Sequence, residues 1–100
     1  MKRSSILINV ARGEIVDQAA LYRALASGRI AGAALDVWYR YPVDAGTTRP
    51  SDAPFHELAN VLMTPHISGW TEGMLQARSK VIAENAARIA TGEPPLNLVP

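Results

Sequence analysis

Two short stretches carry the side chains that could do chemistry. Ile8-Asn9-Val10-Ala11-Arg12-Gly13-Glu14 runs from apolar residues into a guanidinium, and Thr64-Pro65-His66-Ile67-Ser68-Gly69 follows another apolar run with an imidazole. Arginine presents a rigid fork that grips a carboxylate through two hydrogen bonds. Histidine titrates near neutrality and moves protons. An anion clamp beside a proton shuttle suits redox or proton chemistry on a small carboxylic acid. Both groups must then reach one place. An open parallel α/β sheet achieves this, because its ligands bind just outside the carboxyl ends of the strands.

The elements around these residues fit such a sheet. Ser5 to Val10 is rich in β-branched residues with little alternation, which predicts a strand buried on both faces. Asp17 is placed to cap a helix in which Ala20, Leu21, Ala24 and Leu25 recur at helical spacing, and Ser27-Gly28 stops it. Ile30 to Val37 predicts a second strand, with Gly32 marking a close backbone approach. Strand, helix, strand with short links implies a parallel pair with a right-handed crossover.

Trp38 to Pro54 holds three prolines and reads as a long surface loop. Phe55 to Leu58 fits one helical turn, and Asn60 to Thr64 a third short strand ended by Pro65. Thr71 is placed to cap a helix running to about Ala90, with Met74, Leu75, Val81, Ile82 and Ile89 on one face. Gly92 stops that helix, and Glu93-Pro94-Pro95 begins an extended tail. The fold class expected is α/β: a partial doubly wound, Rossmann-like parallel sheet of about three strands with flanking helices. Residues 1–92 form the folded part and 93–100 the tail.

Composition excludes several functions. One hundred residues with 48% apolar and 19% charged side chains suit one small globular domain or part of a larger one. The net charge is +1 and the basic residues are scattered, so nucleic acid is not an expected partner. The absence of cysteine removes disulfides, thiolate catalysis and thiolate metal sites, and suits the cytoplasm. No metal site is expected. No apolar run is long enough to span a membrane.

Taken with Val16-Asp17, Ala20-Leu21, Ala24-Leu25, Gly28, Ile30 to Val37, and Asn60 to Ile67 with Gly69, these motifs make the chain recognisable. It resembles the C-terminal part of the NAD-binding domain of the D-isomer-specific 2-hydroxyacid dehydrogenases. The resemblance implies a parent oxidoreductase that transfers a hydride between NAD or NADP and a small 2-oxo or 2-hydroxy acid, cytoplasmic and dimeric through this domain. It implies that Arg12 binds the substrate carboxylate and carbonyl and that His66 is the acid/base. Asp36 would contact the nicotinamide carboxamide. Val10 and Ala11 would lie against the nicotinamide ring, with Gly69 backbone near the carboxamide. Arg12, Asp36 and His66 are expected to open onto one shared cleft.

Two departures qualify this. The family glutamate that pairs with the histidine falls at Tyr41, in Trp38-Tyr39-Arg40-Tyr41-Pro42. A phenol hydrogen-bonds an imidazole but does not stabilise imidazolium as a carboxylate does. Glu72 is read as a helix cap and, less readily, as a substitute for that glutamate. Second, no G-x-G-x-x-G phosphate loop occurs, so the chain alone is expected to be inactive. A nucleotide-sensing or partner-binding module and an inactive remnant are the rival readings. Trp38, Tyr39 and Tyr41 either cover the sheet edge or shape a substrate pocket, and His56 is read as an exposed turn residue.

Overall fold

The computed structural model describes residues 1–43 and 48–99, in two compact units, Met1–Ser68 and Gly69–Pro100. In the first unit three strands, β1 (Ile6–Asn9), β2 (Gly32–Leu35) and β3 (Val61–Met63), lie side by side in that order. Both pairings are parallel, with Ile6 opposite Gly32 and Ala33 opposite Val61. Helix α1 (Gln18–Ala26) makes the crossover from β1 to β2. Asp17 caps it as expected, its carboxylate accepting the Ala20 N–H at 2.7 Å. Gly28 follows in the left-handed region at φ 64°.

The strands are shorter than the apolar runs that predicted them. Ile30 and Val37 are buried, yet neither belongs to a strand. An apolar pattern reports burial, and a ladder needs a paired neighbour as well. Gly32 is a real close approach: a Cβ there would lie 2.7 Å from the Asn60 carbonyl oxygen. A 3-10 turn that the sequence does not announce, Gly13–Ile15, follows β1; another, Phe55–Glu57, matches the single helical turn the sequence predicts there. The described residues of the 38–54 segment form no helix or strand, and 44–47 lie outside the description.

The core sits on one face of the sheet. Leu21 and Leu25 of α1 pack with Ile30, Ala33, Leu35, Trp38 and Phe55, and Leu7, Val16, Val61 and Met63 close around them. Phe55 is its centre, with Tyr22 edge-on at 5.6 Å and Tyr39 stacked at 6.4 Å between ring centroids. The other face carries Ile6, Ile8 and Leu62, each more than 60% exposed. This corrects the expectation of a first strand buried on both sides. Side chains alternate along a strand, and α1 is the one α-helix among the described residues of this unit.

The second unit is built on α2 (Met74–Ala90). Neither Thr71 nor Glu72 caps it through a side chain. Gly73, left-handed at φ 79°, takes the cap position, while the Thr71 carbonyl accepts the Met74 N–H. A left-handed backbone turn thus stands where the sequence suggested a side-chain cap. At the other end Gly92 N–H bonds the Ile89 carbonyl and Glu93 N–H the Arg88 carbonyl, a Schellman stop. The tail returns to its own helix: Asn85 accepts the Leu96 N–H and Arg88 donates to the Pro94 carbonyl. Leu75, Ile82 and Ile89 are exposed.

A one-sided core makes a sharp contrast in stability. Phe55→Ala is expected to cost about 3–5 kcal/mol, the range for deleting a buried aromatic. Leu62→Ser, on the bare face, is expected to change stability by less than about 0.5 kcal/mol. Urea unfolding of the chain checks both, and equal losses would show that both faces are packed.

Candidate functional site

Parallel strands send their carboxyl ends to one edge, and the three expected residues follow those ends. Arg12 lies three residues after β1, Asp36 directly after β2 and His66 three residues after β3. The side chains differ in what they do there. Arg12 and His66 are exposed, whereas Asp36 is only 3% exposed and turned inward.

Asp36 organises the His66 loop. Its Oδ1 accepts the Thr64 hydroxyl at 2.5 Å and the Ile67 N–H at 2.9 Å, and its Oδ2 accepts the Ser68 N–H at 2.9 Å. Burial raises the carboxyl's pKa, but these donors and the Ser68 hydroxyl outweigh it and hold the group well below the usual carboxylate range. Capturing two successive amides bends the backbone through His66, which sits in the left-handed region at φ 61°. Such a conformation costs a non-glycine residue of order 1–3 kcal/mol and persists where its surroundings over-determine it.

The Arg12 loop is shaped from below by Asn9, which is buried. Its amide donates to the Arg12 carbonyl at 2.8 Å, and its Oδ1 accepts the Ala11 N–H at 3.1 Å. The guanidinium itself reaches no acidic partner among the described residues and donates to the Ala11 carbonyl at 2.7 Å. Gly13 then passes against the Trp38 carbonyl so closely that any Cβ would collide with it. The sequence shows Asn9 only as part of the motif. Its burial at the end of a strand next to a chemical loop was the signal for a positioning role.

Trp38 touches both loops. Its carbonyl meets Gly13, its indole N–H donates to the Thr64 carbonyl at 2.9 Å, and its backbone N–H donates to the Tyr41 phenol oxygen at 3.1 Å. That phenol oxygen lies 3.0 Å from His66 Nδ1. Tyr41 therefore stands beside the imidazole, as its sequence position suggested. The other aromatics divide: Trp38 joins the core, Tyr39 packs against it and donates to the Val16 carbonyl, and only Tyr41 reaches the edge.

The expected shared cleft is not formed in the first unit. A cleft of about 390 Å³ is lined by Trp38, Tyr41, Pro50, Met63, Thr64 and Pro65 among others, but not by Arg12, Asp36 or His66. Asp36 is withdrawn because its oxygens are committed to the loop, and Arg12 and His66 stand on open surface. Gly69 is exposed and begins the second unit. His56 is exposed, 3.9 Å from Glu57, as read. Among the described residues no cluster suits a metal ion, and no helix is long and apolar enough to cross a membrane.

Comparison with known proteins bears on the family and the fold. Residues 1–68 match the profile of the family described as D-isomer specific 2-hydroxyacid dehydrogenase, NAD binding domain. The chain is 42% identical over 99 residues to a glyoxylate reductase of Korarchaeum cryptofilum, covering 99% of this chain and 28% of that protein. It is 43% identical over 100 residues to a D-3-phosphoglycerate dehydrogenase of Archaeoglobus fulgidus, covering 18% of it. Among solved structures it is similar to a D-isomer specific 2-hydroxyacid dehydrogenase from Lactobacillus delbrueckii ssp. bulgaricus in its NAD-complexed form. The TM-score is 0.81 at 36% identity, over 100% of this chain and 32% of that one. An enzyme from Xanthobacter autotrophicus Py2, in complex with NADPH and MES, gives a TM-score of 0.76 at 42% identity, over 100% and 38%. The chain thus spans less than a third of the length of the curated relatives it matches.

The Asp36 bonds make the fold sensitive to acid. A carboxyl depressed by the fold contributes stability that is fully present above its unfolded pKa of about 3.9 and is lost as pH falls from there through the lower folded value. The melting temperature is expected to drop as pH is taken below about 4. In Asp36→Asn it is expected to start lower at neutral pH and to fall less steeply with acid. The Ile67 and Ser68 amide resonances should follow the same titration. Melting curves from neutral to strongly acidic pH, with amide NMR, test this; amides indifferent to acid would remove Asp36 from its role.

Proposed function

Because the chain belongs to the D-isomer-specific 2-hydroxyacid dehydrogenase family, as part of its NAD-binding domain, we propose that it forms the C-terminal half of a dinucleotide-binding domain, residues 1–92, in an enzyme that interconverts a 2-oxo acid and a 2-hydroxy acid. The observation that carries this is the delivery of Arg12 and His66 to the same edge of a parallel sheet. Arg12, with no acidic partner among the described residues, is available to a substrate carboxylate. His66 holds Nδ1 to Tyr41 and has Nε2 to exchange a proton with the substrate oxygen.

The residues present suit a nicotinamide cofactor. Val10 is exposed beyond the end of β1. With Ala11 it offers an apolar shelf for a flat ring, and Asp36, His66 and Gly69 are the further residues proposed to hold that end. NAD or NADP supplies the hydride when bound. Asp36 serves it chiefly by holding the loop that carries His66, since both its oxygens already accept bonds there. Pyrophosphate needs a glycine-rich turn at a helix N-terminus, and this sequence has no G-x-G-x-x-G. A homodimer and a cytoplasmic setting are part of the same proposal.

A chimera tests it: this chain replaces the matching stretch of a glyoxylate reductase. Glyoxylate reduction by a nicotinamide cofactor is expected to persist. Arg12→Ala is expected to lower kcat/KM about a hundredfold or more, from the loss of charge-assisted bonds, and His66→Ala about 10²–10⁴-fold. The chain alone is expected to turn over neither glyoxylate, pyruvate nor hydroxypyruvate. An inactive but folded chimera, or an active Arg12→Ala, would overturn the assignment.

A further inference from the structure

Three groups in a row decide where the proton of neutral His66 sits: the Trp38 amide, the Tyr41 phenol and the imidazole. The Trp38 N–H can only donate, and it donates to Tyr41 Oη at 3.1 Å. One acceptor position of the phenol is therefore taken. The phenol keeps one proton and one weaker lone pair for Nδ1, 3.0 Å away. A phenol is a good acid and a poor base, while an unprotonated imidazole nitrogen is a good base. The matched bond is O–H to nitrogen. Accepting the Trp38 N–H polarises the phenol further and strengthens its donation.

We infer that Tyr41 is a positioning residue that holds neutral His66 as the tautomer protonated at Nε2, so that the histidine meets its ligand as a hydrogen-bond donor and selects the 2-oxo acid over the 2-hydroxy acid. Among the described residues no hydrogen bond reaches Nε2. Its N–H is therefore free to be donated to a carbonyl oxygen. The hydroxyl of a 2-hydroxy acid finds no lone pair there to take its proton unless the Tyr41 bond is first reversed. A carboxylate in place of Tyr41 would act oppositely. It accepts only, so it would draw the proton to Nδ1 and leave Nε2 bare. The ligand class named here rests on the function proposed above, whereas the tautomer does not.

The test separates the two. Long-range proton–nitrogen NMR of the ¹⁵N-labelled chain, at alkaline pH where imidazole is neutral, distinguishes a protonated ring nitrogen from a bare one. His66→Gln assigns the signals. A short unstructured histidine peptide gives the mixture of an unconstrained ring, since His56 stands 3.9 Å from Glu57 through Nε2. His66 is expected to carry its proton on Nε2 with Nδ1 bare. Tyr41→Phe is expected to relax it toward the mixture of the free peptide, and Tyr41→Glu to move the proton to Nδ1. Retention of the amide spectrum shows that each variant keeps the fold. A proton on Nδ1 of His66 in the unmodified chain, or no response to either substitution, overturns the inference. In the chimera, the two dead-end complexes, oxo acid with oxidised and hydroxy acid with reduced cofactor, report ligand preference. Tyr41→Glu is expected to shift the ratio of their dissociation constants about tenfold toward the hydroxy acid, the scale of one hydrogen bond. An unshifted ratio with the predicted tautomers would leave the tautomer standing and overturn the ligand selection.

Discussion

The buried Asp36 carboxylate is the interaction on which the site depends. A charge removed from water must be compensated, and here neutral donors do it instead of a cation. The donors come from one segment, Thr64 to Ser68, so compensating the charge and folding that segment are the same event. The left-handed turn at His66 follows, since the two amides beyond it point back at the carboxylate. A residue at the end of β2 thus sets the direction of a side chain carried beyond β3. Lengthening or neutralising Asp36 would disturb His66 without touching it.

A second constraint joins that loop to the one bearing Arg12. Gly13 meets the Trp38 carbonyl where no side chain fits, and the Trp38 indole is bonded to the Thr64 carbonyl. Trp38 is itself anchored in the core beside Phe55. The core is small and one-sided, yet it lies directly beneath the edge where Arg12 and His66 emerge. Packing energy is concentrated under that edge, while the opposite face displays Ile6, Ile8 and Leu62 to solvent. Asn9 works within the first loop as Asp36 works within the other, a buried polar side chain at a strand end bonded to the backbone that follows.

Tyr41 directs the imidazole beside it without adding a charge. A carboxylate beside an imidazole fixes both its charge and its tautomer. The phenol retains the directional bond and gives up the charge. Its orientation is supplied by a backbone amide three residues earlier, so the arrangement needs no further side chain.

The sequence by itself determined the elements and the chemical cast. Helical spacing and a capping Asp17 located α1, three apolar runs located the parallel strands, and Arg12, Asp36 and His66 stood at or just beyond the ends of those runs. These features lie within windows of a few residues, where periodicity and side-chain chemistry are local. Other features were not legible in such windows. The apolar run of β1 could not reveal that one of its faces would be uncovered, because that depends on which helices pack there. Thr71 and Glu72 had the composition of a cap, but the backbone reversal at Gly73 took the position. Asp36 had the place of a ligand-binding carboxylate, and only the tertiary structure showed its oxygens held by residues 28 to 32 positions away. Such partners are brought together by sheet register and loop path, so tertiary structure alone decided which polar groups stand exposed at the edge and which hold the backbone that carries them.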